Sequence, residues 1–507
     1  MLLAETSQIR DASRRMIDGL GFPGYILMET AGRKAAETIL SEYASSLAAL
    51  VLVGSGNNGG DGLVVSRYLR LAGWKVDILL VKGPDAFQGD AQIAWQSLNG
   101  SGINIHRWPE LPKVQGDHVV LVDALLGTGF EGPMSNPYLA IVDAFQGHPN
   151  PVVAIDLPSG MDASSGHCDS QVLKADLTCT FQLPKICHRV YPAAEQCGKV
   201  VVLDIGIWPE VLESLKVNRH VTETSVFADW IEPREAQAHK GTMGHVLSLG
   251  GSKAYAGAIS LTAHAALKVG AGLSTVMCPE ICREAIHALG PEVMMVGFDD
   301  EELGMRATQL TKEKLKGKSS VAAGPGMGIG TQQKEFLEQF LRAVEVPLLL
   351  DADALNLLAL HPELWEWVPQ GTIITPHPGE MARLQASPDP MKFRLEAAEK
   401  LAKHRKVIVV LKGAGTIVSS PEGETYVNPT GNPGMATGGS GDVLAGMIAG
   451  LMTQLPPFKA AVAGVYLHGL AGDLFAEEFG PETLIASDLL RYLPKAFQLV
   501  LHHSDCP

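Results

Sequence analysis

The feature that most restricts the fold is a unit that recurs along the chain: a short apolar run of strand length, then a glycine-rich loop, then a helical pattern. Leu47–Val53 is such a run. Gly54-Ser-Gly-Asn-Asn-Gly-Gly-Asp-Gly62 follows at once, and Val64, Val65, Tyr68, Leu69 and Ala72 then recur at helical spacing up to Gly73. Val76–Val81, Val119–Val122, Val152–Ile155, Leu177–Phe181 and Val200–Asp204 continue the series. Runs apolar on both faces belong to a parallel sheet covered by helices on each side, so the fold class is α/β, a doubly wound sheet. A second series begins at Val246–Leu249, passes through Gly250-Gly-Ser-Lys-Ala-Tyr-Ala-Gly-Ala258 into a helix over Ile259–Val269, and goes on with Ser320–Ala323, Pro347–Leu350 and Thr372–Ile374. At roughly 100–200 residues per domain, 507 residues hold more than one. Two domains are expected, residues 1–218 and 225–503, with the boundary between Lys216 and Trp230.

The most demanding loop is Asn428-Pro-Thr-Gly-Asn-Pro-Gly-Met-Ala-Thr-Gly-Gly-Ser-Gly-Asp442, which runs into Val443, Leu444, Met447, Ile448 and Leu451 at helical spacing. Unpaired N–H groups at such a helix start aim at one spot, at the positive end of the dipole, and favour an anion. Phosphate repels an aspartate there unless the carboxylate holds a metal or takes a proton from a nucleophilic hydroxyl. Gly441 is therefore a candidate phosphate contact and Asp442 a candidate base. A flexible linker would not continue into a helix with Gly446 and Gly450 spaced for close packing. Upstream, Lys412-Gly413-Ala414-Gly415-Thr416 joins two apolar runs as a small-residue turn, suited to a nucleotide lying flat on it or to an ordinary hairpin. His377, between Pro376 and Pro378, is either a core histidine or a loop residue at a strand end, where ligands bind. A nucleotide site beside an acceptor site is what phosphoryl transfer needs.

In the first half three strands end in polar loops: Asn57–Asp61, Asp123–Gly129 and Asp156–Gly160. One such loop alone is a plain turn. Strand carboxyl ends share one edge of an open parallel sheet, so the three can converge on a pocket. Asn58, Asp123 and Ser159 offer oxygen ligands with too little charge for a tight divalent site, which suits a monovalent cation or a weakly held metal.

Composition narrows the ligands. A net charge of −15 argues against a nucleic-acid groove or an anionic membrane surface, so phosphate must be held locally. The seven cysteines form no CxxC pair, and the four between Cys168 and Cys197 beside His188 match no zinc spacing, so they read as reduced thiols. The run Asp299–Glu302 reads as a solvated acidic loop. Glu5 and Arg10 interrupt the first apolar residues, and no uninterrupted apolar run reaches about 18 residues, so a soluble cytoplasmic protein is expected.

Gly431-Asn-Pro-Gly-Met-Ala-Thr-Gly-Gly-Ser-Gly-Asp-Val-Leu-Ala-Gly446, Lys412–Thr416 and Thr375-Pro-His-Pro-Gly-Glu380 resemble the ADP- or ATP-dependent NAD(P)H-hydrate dehydratases, which have a ribokinase-like fold. Gly54–Gly62, Val122-Asp123, Gly127-Thr-Gly129 and Ile155-Asp-Leu-Pro-Ser-Gly160 resemble the NAD(P)H-hydrate epimerases, with a Rossmann-like three-layer sheet. The chain as a whole, over about residues 5–500, resembles the bifunctional enzymes that repair hydrated nicotinamide dinucleotides. That resemblance implies an epimerase pocket of Asn57, Asn58, Gly59, Gly60, Asp61, Gly127, Thr128, Gly129, Phe130, Glu131, Gly132, Pro133 and Asp156, with Asp156 as acid/base and Lys185 the weaker candidate. K⁺ on Asn58, Asp123 and Ser159 goes with it. In the second domain it implies hydrate contacts at Ala258, Gly326, His377 and Asp442, nucleotide contacts at Lys412, Gly413, Ala414, Gly415, Thr416 and Gly441, and Mg²⁺ with ADP. The implied substrates are the hydrates of NADH and NADPH, and the fused arrangement suggests a homo-oligomer. Glu29-Thr-Ala-Gly32 stands where Glu-Asn-Ala-Gly is expected, so Thr30 receives no role. The alternative is a small-alcohol or vitamin-precursor kinase fused to a dinucleotide-binding module, which would use the same Gly441–Asp442 device and release a stable phosphorylated product.

Overall fold

The computed structural model describes residues 1–112, 118–168, 171–227, 229–298, 313–385 and 393–502; the acidic run from Asp299 to Glu302 lies outside them. Two compact units divide the chain, Met1–Arg219 and His220–Pro507. No described helix is long and apolar enough to cross a membrane.

The first unit is built on seven strands: β1 (Ala48–Val53), β2 (Lys75–Leu80), β3 (Asn104–Arg107), β4 (Val119–Ala124), β5 (Val152–Ile155), β6 (Leu177–Phe181) and β7 (Lys199–Leu203). They form one parallel sheet in the order β3-β2-β1-β4-β5-β6-β7. Side chains alternate across a strand, and β1 feeds both faces: Ala49, Val51 and Val53 enter the core with Leu63 and Val64, while Leu50 and Leu52 enter the opposite core with Ile141 and Phe145. Strand order reverses between β1 and β4, which opens a crevice at their carboxyl ends.

The stretch Gly54–Gly62 is mostly helix, since Asn57–Leu71 is helical and only Gly54–Gly56 forms the loop. The reason is packing. A Cβ on Gly59 would lie 1.9 Å from the Gly54 carbonyl oxygen, one on Gly60 2.7 Å from the Met28 side chain, and one on Gly62 2.4 Å from Ala124 Cβ. These glycines press a helix onto the sheet instead of loosening a loop. Past β7 the short helix Pro209–Ser214 begins with proline in its first turn.

The second unit carries a ten-stranded sheet of β8 (Arg219–Val221), β9 (His245–Leu249), β10 (Leu273–Pro279), β11 (Met294–Phe298), β12 (Ser320–Ala323), β13 (Leu348–Leu350), β14 (Ile373–Ile374), β15 (Ile408–Leu411), β16 (Ile417–Ser419) and β17 (Thr425–Val427). The order is β11-β10-β9-β12-β13-β14-β15-β16-β17-β8, parallel from β11 to β15 and antiparallel through β15, β16 and β17. Here the order reverses between β9 and β12. The helix Ser440–Leu451 lies against the helix Ala256–Lys268, and glycine makes that approach possible: a Cβ on Gly446 would sit 2.0 Å from the Thr262 carbonyl oxygen, and one on Gly450 2.4 Å from Val269.

Candidate active sites

At the β1/β4 crevice lies a cavity of about 740 Å³. The start of the Asn57 helix supplies Asn57, Asn58 and Asp61; the loop after β4 supplies Gly127, Thr128, Gly129, Phe130, Glu131 and Pro133; and Asp156 closes it from the end of β5. Gly59 and Gly60 are buried packing positions and do not line it, and Gly132, at φ 81°, is exposed and does not line it either. Gly127 rests against Asn58, where a Cβ would meet the Asn58 Cβ at 3.0 Å.

Asp156 adopts φ 67°, a left-handed conformation rare outside glycine, and its N–H donates to the Cys179 carbonyl at 2.8 Å. The Lys185 ammonium donates to Asp156 Oδ1 at 2.5 Å and to Thr180 Oγ1 at 2.7 Å, and the Thr180 hydroxyl donates to the same carboxylate oxygen at 3.1 Å. Burial opposes the charge on Asp156, but Lys185 outweighs it and holds the carboxyl below its usual range. Lys185 is only 1% exposed and is not part of the cavity wall, so it acts on Asp156 from behind. The Lys185 N–H donates to His188 Nδ1 at 3.0 Å; burial drives that imidazole down to about 3, so it is neutral. Asp61 has the opposite bias: burial, reinforced by the Asp156 charge, pushes it well above the carboxylate range. One cavity thus holds two carboxyls biased in opposite directions, Asp156 towards the ionised form and Asp61 towards the protonated one, a pairing suited to acid and base steps together. The sequence assigned Asp61 only a binding role.

The expected cation ligands also meet. The Asp123 carboxylate accepts from the Ser159 N–H at 2.7 Å, the Ser159 hydroxyl at 2.6 Å and the Leu125 N–H at 3.2 Å. Asn58 Nδ2 donates to the Leu126 carbonyl at 3.0 Å, which leaves Asn58 Oδ1 buried without a partner. That orphaned oxygen, beside neutral hydroxyl and carbonyl oxygens and one carboxylate, fits a monovalent cation. No group of three or more His, Cys, Asp or Glu among the described residues is arranged to hold a metal, the Cys168–Cys197 cluster included. The described cysteines are free thiols.

In the second unit the loops after β9, β12, β13, β14 and β15 share one edge. Gly326 (φ 64°) backs onto Tyr255 and Ala258, with a Cβ there 2.7 Å from the Tyr255 carbonyl oxygen and 3.5 Å from Ala258 Cβ. The Thr262 hydroxyl lies 3.1 Å from the Ala258 carbonyl and 3.0 Å from that of Asp442, tying the two helix starts together. Asp442 stands in the first turn of the Ser440 helix, and a Cβ on Gly441 would lie 3.4 Å from Lys412 Nζ. Lys412 donates to Asp351 Oδ1 at 2.7 Å and lies 3.9 Å from Glu380. Burial works against its charge, but Asp351 and Glu380 outweigh that and raise it above the lysine range. Burial, then the Asp351 charge, lifts Asp442 to about 7, and burial lifts Glu380 to about 7 as well. His377 is exposed, and its N–H donates to Glu380 Oε2 at 2.7 Å.

The glycine-rich loop is prearranged: Asp473 accepts from the Gly431 N–H at 2.8 Å and from Asn432 Nδ2 at 3.0 Å, and Asn432 Oδ1 accepts from the Gly434 N–H at 3.0 Å. Beneath the Lys412–Thr416 turn lies Arg394, 2% exposed, donating to the Ala414 carbonyl at 2.6 Å and the Lys412 carbonyl at 3.4 Å. Asp351, Glu380, Thr262, Asp473 and Arg394 went unnoticed as site residues. Glu380 lay inside a recognised motif, whereas Asp351 follows β13 and precedes Ala352, which adopts the strained pair φ 50°, ψ −115°.

These are the parts of a two-site enzyme: a doubly wound unit with a carboxyl pair in its crevice, and a kinase-like unit with a carboxyl at a glycine-rich helix start. Residues 246–495 match the family described as NAD(P)H-hydrate dehydratase, and residues 24–187 the YjeF-related protein N-terminus. The bifunctional NAD(P)H-hydrate repair enzyme of Moorella thermoacetica is 37% identical, over 97% of this chain and 96% of its own. That of Escherichia coli is 36% identical, over 96% and 92%. Among solved structures, a ribokinase-like superfamily protein from Enterococcus faecalis is 30% identical with a TM-score of 0.50, over 56% of this chain and 96% of its own. The chain belongs to the bifunctional NAD(P)H-hydrate repair enzymes, with an epimerase unit followed by a dehydratase unit of ribokinase-like fold.

Proposed function

We propose that the first unit interconverts the R and S hydrates of NADH and NADPH, and that the second dehydrates the S form at the expense of ADP, releasing AMP and phosphate. The observation that carries this reading is Asp442 at the anion-binding helix start beside Lys412, where burial keeps the carboxylate basic near neutral pH. The hydrate bears a hydroxyl on the ring carbon next to nitrogen, and hydroxide leaves poorly. Asp442 takes the hydroxyl proton as the oxygen attacks the terminal phosphorus of ADP and the bond to AMP breaks. The ring nitrogen lone pair then expels phosphate, and loss of a proton from the neighbouring carbon restores the dihydropyridine. ADP lies over Lys412, Gly413, Ala414, Gly415 and Thr416 with its phosphates at Gly441, and the hydrate contacts Ala258, Gly326 and His377.

Mg²⁺ would neutralise charge on the phosphates. Asp351, Glu380 and Asp442 supply the nearby oxygens, and an ion held partly by substrate phosphate needs no complete protein cage. In the first unit Asp61 protonates the departing hydroxyl while the ring nitrogen forms an iminium, and Asp156 takes a proton from the water that returns on the other face. K⁺ at Asn58, Asp123 and Ser159 would fix the loops around the cavity. The assignment extends to a homo-oligomer in the cytoplasm. Product analysis tests it against the kinase reading: AMP and phosphate formed one for one with reduced nicotinamide support repair, and a stable phosphorylated alcohol would refute it.

A further inference from the structure

The epimerase cavity is walled by the carboxyls of Asp61, Glu131 and Asp156, and by one basic side chain among the described lining residues, Arg10. The chain carries a net −15, and a nicotinamide dinucleotide brings a pyrophosphate dianion. Seating that dianion beside the Glu131 and Asp156 carboxylates is unfavourable unless a cation meets it. Arg10 lies on the helix Thr6–Arg14, and its Nη2 donates to the Thr128 carbonyl at 2.5 Å, in the loop that forms the cavity wall. Its nearest carboxylate, Glu131, is 4.0 Å away, with the two side chains 51% and 81% exposed, a weak pairing. Arg14 and Arg15 on the same stretch are both committed to Asp11, at 2.5 and 2.7 Å. Arg10 is therefore held in place by a neutral carbonyl while most of its N–H donors stay uncommitted, which suits a planar, two-pronged contact to phosphate.

We propose that Arg10 binds a phosphate group of the dinucleotide at the epimerase cavity and sets that unit's affinity for phosphorylated substrates. The proposal deepens the epimerase reading and rests on it. Phosphate is remote from the reacting carbon, so the contact is equal in ground and transition states and acts on KM, not on kcat. The Thr128 anchor fixes the guanidinium before substrate arrives, which lowers the ordering cost of the contact.

The experiment is steady-state epimerisation by the full chain and its Arg10→Ala variant, with NADH hydrate and NADPH hydrate, at low and high salt. Arg10 is half exposed, so its removal leaves the fold intact. Losing a hydrogen bond to a charged group is expected to raise KM roughly ten- to hundredfold with kcat within about twofold. Salt should raise the wild-type KM and change that of the variant much less. Equal penalties for the two hydrates place the contact on the pyrophosphate; a penalty confined to NADPH hydrate places it on the 2′-phosphate. A KM within about twofold of wild type for both substrates, or a kcat loss at unchanged KM, overturns the proposal. A wild-type chain that does not epimerise at all refutes the epimerase reading instead.

Discussion

Replacing Asp442 with asparagine isolates the proton acceptor of the dehydratase site, because the amide keeps the shape and the helix start around it. The carboxylate sits in the first turn of the Ser440 helix with its backbone carbonyl 3.0 Å from the Thr262 hydroxyl, a contact the side-chain change does not touch. General bases contribute typically ~10²–10⁴-fold, or roughly 3–5 kcal/mol of barrier, so dehydration should slow at least ~100-fold. ADP affinity should hold or tighten, since a negative charge near the phosphates is removed. The pH profile gives a second reading. Burial places Asp442 at about 7, and the base works only when deprotonated, so wild-type dehydration should fall about tenfold per unit as pH drops below about 7. The asparagine variant should lose that limb. Initial rates from pH 5.5 to 8.5 beside calorimetric ADP affinity decide the matter, and an Asp442→Asn enzyme with a near-normal rate would exclude the base.

In the first unit, Asp156→Asn should abolish use of the R hydrate and leave dehydration of the S hydrate intact, measured as the fraction of a mixed hydrate consumed. Exchanging K⁺ for a large organic cation should slow epimerisation alone, and an unchanged rate removes the Asn58, Asp123 and Ser159 assignment. Gly446→Ala places a Cβ 2.0 Å from the Thr262 carbonyl oxygen, so it should destabilise the second unit by about 1–3 kcal/mol in urea unfolding and depress dehydration with it; full stability would refute the packing account. Arg394→Met removes the donors that hold the Ala414 and Lys412 carbonyls and should weaken ADP binding at least about fivefold without changing epimerisation, with equal ADP affinity as the refuting result.

β1, β5, β6 and β12 lie where continuous apolar runs placed them, whereas β10 went uncalled although it is buried, because Ser274 and Thr275 interrupt its apolar run. β3, Asn-Ile-His-Arg, was missed because an edge strand needs no apolar run, and its residues are mostly exposed. The Gly54–Gly62 stretch was misread as a loop because glycine marks both flexibility and close packing, and only the contacts with Gly54, Met28 and Ala124 distinguish the two. Asp442 and Lys412 were readable from local pattern. Asp351 was not, since it meets Lys412 only through a contact spanning 61 positions. The opposite electrostatic biases of Asp61 and Asp156 depend on which of them Lys185 reaches, and spacing carries no trace of that.

Repair of both hydrate epimers by one chain, through two sites, is open to a direct test. Mixed R and S NADH hydrate, incubated with the full chain, Mg²⁺ and ADP, is followed by the absorbance of the reduced nicotinamide ring. Recovery of all the input NADH, accompanied by equimolar AMP, is the predicted result. A plateau at the S fraction, or no recovery with ADP or ATP, would contradict the account.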